Sequence, residues 1–406
     1  MKKFLSLVLT VLMAVGCVAF TACNNKGNNS ESGNNNTDPV AGLICLHGES
    51  STYDKNFIDA FKTACENKNV AYSIVVDIPE DVACYDEAAN LVDAGCKVVF
   101  ADSFGHEQYM MQAAAEFTDV HFCHATGTQA KQSDLPNYHN AFASIYEGRY
   151  LAGYAAGLKL NTMKDKAVNN NFKVGYVGAF TYAEVISGYT SWFLGVQAAL
   201  EEGYTATMEV QFTGSWYDEA GEKSAAETLI SNGCVLISQH ADSMGAPTAC
   251  DTAGIPNVAY NGTTGKNTMV AYSRINWVPY FEHMLDKYVT NEIVDDYCGT
   301  IATGSVQFNV EGPAAAEGTK EAIEAVKAQL QAGTLKVFDC SKFTVKGEHL
   351  TSYLADIDGD YTPDTNVIKT VNGVTYFDES NADEFRSAPY FDISAIDGIT
   401  CLNTKF

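Results

Sequence analysis

Residues able to do chemistry recur at regular intervals between positions 173 and 243 of this 406-residue chain. Three apolar, strand-like runs lie there, at 174–177, 208–212 and 234–238, and each gives way to a polar or aromatic turn. Past the first come Phe180 and Glu184, past the second Trp216, and past the third Gln239, His240 and Asp242. The rings offer flat apolar faces. The carboxylates accept hydrogen bonds, and the amide and imidazole can donate and accept. Such a set suits holding a small polar molecule in a cleft.

For those turns to meet, each strand must be followed by a helix that returns the chain to the same edge. After the first strand, Val185, Ile186, Tyr189, Trp192, Phe193, Val196 and Leu200 recur at helical spacing on one face. A second helix starts at Asp218, a good N-cap, and stops at Asn232-Gly233. Three strand–helix units in tandem predict a doubly wound α/β lobe, a parallel sheet covered on both faces. Ligands of such sheets sit at the carboxyl ends of the strands.

The region before it has the same grammar. Strands are expected at 42–47, 71–76, 97–101 and 120–124, with helices from Asp54, at 85–94, and around Tyr109 to Phe117. This places Tyr53, Ser103 and Phe104 at strand-to-helix junctions, and Asn261 follows a further strand at 257–260. Two arrays of similar size, 42–140 and 173–260, carry no sequence repeat. Downstream, 269–272 and 304–308 read as strands and 277–290 and 317–331 as helices. Beyond Val337 the pattern turns to short β segments rich in acids.

The start of the chain reads as an export signal. Lys2 and Lys3 precede an apolar run at 4–20, closed by Thr21-Ala22-Cys23. An uncleaved membrane anchor is the alternative, since the run approaches the length needed to span a bilayer. Residues 24–38 are Asn, Gly and Ser, a flexible tether. Without residues 1–22 the chain keeps 23 basic and 50 acidic residues, a net charge of −27. That argues against nucleic-acid polymers and anionic membrane surfaces as partners. Beyond Cys17 and Cys23, ten cysteines remain, none in a CxxC or CxxxC pair, so neither a zinc site nor a redox dithiol is indicated.

Enzymatic readings have little to stand on. His124, His240, Asp102, Asp242 and Ser103 could be arranged as a hydrolytic site, yet no GxSxG elbow, HExxH or P-loop is present. Asp356-Ile357-Asp358-Gly359-Asp360 opens like a calcium loop, but Tyr361 and Val367 stand where such a loop needs Gly and Glu, so an acidic turn is expected. No metal and no cofactor is expected.

Longer motifs carry a family resemblance. HATG at 124–127, YEGRYLAGYAAGL at 146–158, KVGYVGAFTYAEVISGYTSWFLGVQAA at 173–199, TGSWYDEAGEKSAAETLISNG at 213–233 and QHADS at 239–243 resemble the basic membrane protein family. These are substrate-binding lipoproteins of ABC transporters, similar to purine-nucleoside receptors. The resemblance implies a type I periplasmic-binding-protein fold, two doubly wound α/β lobes joined by a three-segment hinge at 141–144, 260–262 and 295–300. Lobe 1 would take 41–142 and 262–297, and lobe 2 would take 143–261 and 298–406 with its C-terminal extension. Cys23 resembles a lipobox cysteine, with Cys17 as competitor, giving an extracytoplasmic protein anchored by lipid. The expected partners are a purine nucleoside or nucleobase (or a similar flat heterocycle) and an ABC permease, with the protein itself monomeric. A sensor of the same fold is the alternative. The chain departs from the family at 47–53, where relatives have a Gly-Asp-Gly-Gly-Trp-like loop, and at Met244, where a Pro is usual.

In that setting Tyr53, Phe104, Phe180 and Trp216 are expected to stack on a flat base, or else to plug the lobe interface. Glu184 and Asp242 are acceptors for an amine or ribose hydroxyl, with helix N-capping as the other role open to Asp242. Gln239 and His240 can pair with a base edge, although a lone His is often structural. Ser103 and Asn261 are polar contacts or turn residues. Tyr146, Glu147 and Arg149 are expected to form an ion pair and packing at the hinge.

Overall fold

The computed structural model describes residues 30–33, 40–290, 292, 294–310, 312–379 and 386–405. The export signal at 1–22 and Cys23 lie outside the described residues. Within the stretch read as a tether, Ser30–Gly33 (β1) is instead an edge strand. It pairs antiparallel from Ser30 opposite Val75 to Gly33 opposite Tyr72. An open sheet edge accepts a strand through backbone groups alone, so a polar composition gives no warning of it.

From Ala41 the expected alternation is present. β2 (Ala41–Ile44), α1 (Thr52–Lys68), β3 (Tyr72–Val75), α2 (Val82–Asp93), β4 (Val98–Ala101), α3 (Glu107–Glu116), β5 (His121–Ala125) and β6 (Tyr138–Ala143) build lobe 1. The second lobe follows with α4 (Ile145–Asn161), β7 (Asn171–Gly178), α5 (Ala183–Ala199), β8 (Thr205–Phe212), α6 (Glu219–Ser231), β9 (Ile237–His240), α7 (Gly245–Ala253), β10 (Asn257–Tyr260) and β11 (Met269–Ile275). Then α8 (Val278–Thr290) and β12 (Tyr297–Gly299) return to lobe 1, and β13 (Val306–Asn309) and α9 (Thr319–Gln331) belong to lobe 2. Each lobe is one seven-stranded sheet, ordered β1-β3-β2-β4-β5-β6-β12 in the first.

The chain passes between the sheets after β6 and again between β12 and β13, while its middle passage lies later in the sequence than 260–262. Residues 260–262 do not leave lobe 2. Instead β11 pairs parallel with β10 and antiparallel with β13, so 269–275 belongs to lobe 2 and the chain crosses at Ile275–Trp277. The boundary at 297 moves too, since β12 pairs with β6 of lobe 1. The residue pattern marks 269–272 as a strand but carries no label for its sheet; only pairing decides that. Once across, Trp277 stacks on Phe57 at 4.4 Å and Phe281 meets Phe61 edge-on at 5.1 Å, fixing α8 on α1.

Helix ends follow local chemistry. The Ser51 hydroxyl caps α1 and the Asp218 carboxylate caps α6, accepting from the Gly221 amide at 2.9 Å. In the core of lobe 2, α4 and α5 cross with backbones almost touching. A Cβ at Gly153 would collide with the Trp192 carbonyl, and one at Gly195 with that of Tyr150. The expected ion pair in α4 is absent. Glu147 accepts the Ile301 amide at 2.7 Å while Arg149 points to Ser238 and the Gln239 carbonyl. Residues two apart on a helix face different ways.

The C-terminal extension forms two hairpins, β14 (Leu354–Ala355) with β15 (Thr365–Asn366) and β16 (Ile368–Val371) with β17 (Val374–Phe377). It ends in β18 (Ile399–Cys401), which completes the second sheet beside β8, so that order is β13-β11-β10-β9-β7-β8-β18. It also reaches lobe 1: Gln129 donates to the Gly359 carbonyl at 2.5 Å and Ser387 to that of Asn140 at 3.1 Å. The acidic turn at 356–360 binds its own amides, and Asp356 pairs with Arg386 at 3.1 Å.

Candidate functional site

The carboxyl ends of both sheets converge on a narrow cavity between the lobes, the position where small-molecule sites of such sheets form. Lobe 1 contributes Leu46, Tyr53, Asp54, Ser103, Phe104 and Thr126. Lobe 2 contributes Glu184, Trp216, His240, Asp242 and Tyr260. Seven of the ten residues singled out from the sequence are therefore on its wall.

The other three are not. Gln239 turns its amide into the sheet, where its Oε1 accepts from Asn257 at 2.8 Å. Side chains alternate along a strand, so with His240 facing the cavity Gln239 cannot. Asn261 sits in the left-handed region (φ 64°), which Asn tolerates, with its amide donating to the Ser273 carbonyl. Phe180 stands behind the wall, edge-on to Trp216 at 5.0 Å and stacked on Tyr182 at 5.2 Å. Asp242 does not cap α7; the helix starts after Met244, and Ser243 Oγ accepts the Gly245 amide instead.

Tyr182, missed in the sequence, bridges the lobes. It stacks on Phe104 of lobe 1 at 4.8 Å and stays 40% exposed. His47 approaches Tyr217 with centroids 5.4 Å apart, and the Thr52 amide and hydroxyl donate to the Asp242 carbonyl at 3.1 and 3.2 Å. These contacts hold the lobes closed. Asp54, Thr126 and Tyr260 also escaped notice as site residues; Asp54 read as a helix start and lies in the first turn of α1, which begins two residues earlier at Thr52.

The cavity is electrostatically one-sided. Asp54 accepts the His47 amide at 2.7 Å and the Ser51 hydroxyl at 2.5 Å. Behind it, Cys45, Asp54 and Asp102 bring their polar atoms within 4.8 Å of one another. Burial first, and Asp54 second, push the Asp102 carboxyl well above the usual range, so a proton on Asp102 relieves the pair. Asp242 is raised likewise by burial and by Asp54, Glu222 and Glu184. Burial lowers His240 and favours the neutral imidazole, although Glu184 stands 3.4 Å from its Nε2. Tyr53 donates to the Asp102 carbonyl at 2.9 Å, and Ser103 to Glu80 at 2.7 Å.

Two α/β lobes meeting over a walled cavity at their strand ends make up the type I periplasmic-binding-protein fold. An ABC transporter system solute-binding protein from Aeropyrum pernix K1 shares the fold, with a TM-score of 0.62 and 12% identity over 74% of this chain and 93% of that one. The family model described as "ABC transporter substrate-binding protein PnrA-like" matches residues 49–332, and the chain belongs to this Bmp family. Its relatives include the "Putative ABC transporter glucose-binding protein TsgA13" of Haloferax volcanii, 28% identical over 272 residues, 65% of this chain. Another is the "Purine-binding protein BAB2_0673" of Brucella abortus, 35% identical over 162 residues, 40% of this chain. The matches span 66% and 42% of those relatives' lengths. Among the described residues no helix is long and apolar enough to cross a membrane.

Proposed function

We propose that this chain is an extracytoplasmic receptor, acylated at Cys23, that captures a purine nucleoside or nucleobase between its lobes and presents it to an ABC permease. The observation that carries the reading is the interlobe cavity itself, walled by the rings of Tyr53, Phe104, Trp216 and Tyr260 and edged by Asp54, Glu184 and Asp242. Rings suit a flat heterocycle, and carboxylates suit amine or hydroxyl donors that water would otherwise satisfy. The Brucella relative, a purine-binding protein by name, points the same way, while the Haloferax relative, named as a putative glucose-binding protein, keeps a sugar in contention.

The mechanism is closure. A ligand touching both lobes favours the closed state by its differential affinity, and the permease reads the closed surface. The ligand leaves chemically unchanged. Native mass spectrometry of what co-purifies, followed by calorimetry with nucleosides, bases and glucose, tests the ligand class. Bound purine and compaction in X-ray scattering are the expected results; glucose binding with no purine binding overturns the reading.

A further inference from the structure

We propose that the guest of this cavity carries a positive charge, as a cationic flat heterocycle or a ring bearing a protonated amine. The inference rests on reading the cavity as the ligand site for a flat ring. Its lining holds the carboxylates Asp54, Glu184 and Asp242 and no lysine or arginine. Asp54 already has two donors, and Glu184 has His240. Asp242 is only 5% exposed, and among the described residues no amide, hydroxyl or side-chain nitrogen donates to its carboxylate. An ionised carboxylate buried without a partner is costly, and its neighbours add to the cost.

Among the described residues no nearby cation relieves it. Arg149 lies behind the wall, its guanidinium 4.7 Å from the centre of the Tyr260 ring and engaged with Tyr176, Ser238 and the Gln239 carbonyl. The remaining charged groups around the site, Glu80, Asp102 and Glu222, are acidic. A neutral guest leaves the repulsion among these carboxyls in place, and with it the pressure on Asp242 to hold a proton. A cation offsets that repulsion and favours the ionised Asp242, and the negative faces of Tyr53, Phe104, Trp216 and Tyr260 attract the same charge. Phosphorylated guests are disfavoured for the converse reason.

Calorimetry at pH 6 on the purified protein tests this with pairs matched in shape. Adenosine is set against 1-methyladenosine, and guanosine against 7-methylguanosine, where N-methylation places a positive charge on the ring. N6-methyladenosine gains the methyl but no charge and controls for size. The charged member of at least one pair is expected to bind about tenfold tighter or more, with no such gain for N6-methyladenosine. Asp242→Asn is expected to cut that ratio below about threefold. Neutral nucleosides that bind as tightly as their charged partners overturn the charge and leave the purine reading standing. Thiamine binding without any purine binding supports the charge and overturns the purine reading. If none of these rings binds, both fall.

Discussion

Replacing Trp216 by alanine takes away one wall of the cavity without touching the backbone that carries it. The indole is half-buried at the turn between β8 and α6, edge-on to Phe180 at 5.0 Å and tilted against Tyr182 at 5.9 Å. Its carbonyl, which accepts the Asp242 amide at 3.0 Å, survives the substitution. A base stacked on an aromatic side chain gains about 1–3 kcal/mol. At about 1.4 kcal/mol per decade, that is a Kd raised roughly 5- to 150-fold. The lost ring contacts cost the fold only about 1 kcal/mol, so melting should shift by a few degrees at most. Calorimetry with the co-purifying ligand reads the first quantity and circular dichroism the second. A Kd within about twofold of the parent, in a protein that melts normally, would refute the assignment of Trp216 to the ligand wall.

Asp242→Ala should weaken binding by about tenfold or more, because the ligand donor it meets is left buried and unpaired; titration at saturating protein concentration checks this. Gly153→Ala should destabilise the chain by about 1–3 kcal/mol or more in urea denaturation, since its methyl meets the Trp192 carbonyl, which is backbone and cannot step aside. Glu147 and Glu222 are each pushed up to about 7 by burial. The folded state therefore holds their protons more tightly than the unfolded chain, where they titrate near 4.5. Their contribution is complete below pH about 4.5 and is lost as pH rises through about 7, by up to about 3 kcal/mol each. The stability of Glu147→Gln relative to the parent should accordingly climb between pH 5 and 8; a gap that stays constant with pH contradicts this.

Much of the site was legible because its positions are local consequences of the fold grammar. A strand that ends in a polar turn before a helix places that turn at the sheet's carboxyl edge, and Tyr53, Ser103, Phe104, Glu184, Trp216, His240 and Asp242 all lie in such turns, at the strand end before one or in the first helical turn after one. What failed were choices of direction. Gln239 and His240 are neighbours in one strand, and only packing shows which of them faces the cavity. Tyr182, two residues past Phe180, drew no reading from the sequence, yet it is the ring that meets Phe104 from the other lobe.

Periodicity, capping residues and turn chemistry act over a few residues, so the chain itself determined the strand–helix alternation, the two lobes and the ring of polar and aromatic strand ends. Assigning β11 to lobe 2, adding β1 to a sheet edge and bringing β18 beside β8 depended on backbone pairing between distant segments. The same holds for the charge of the cavity. Carboxylates spread from Asp54 to Asp242 become one buried negative site only when two lobes close over them, because desolvation and mutual repulsion exist only at short range.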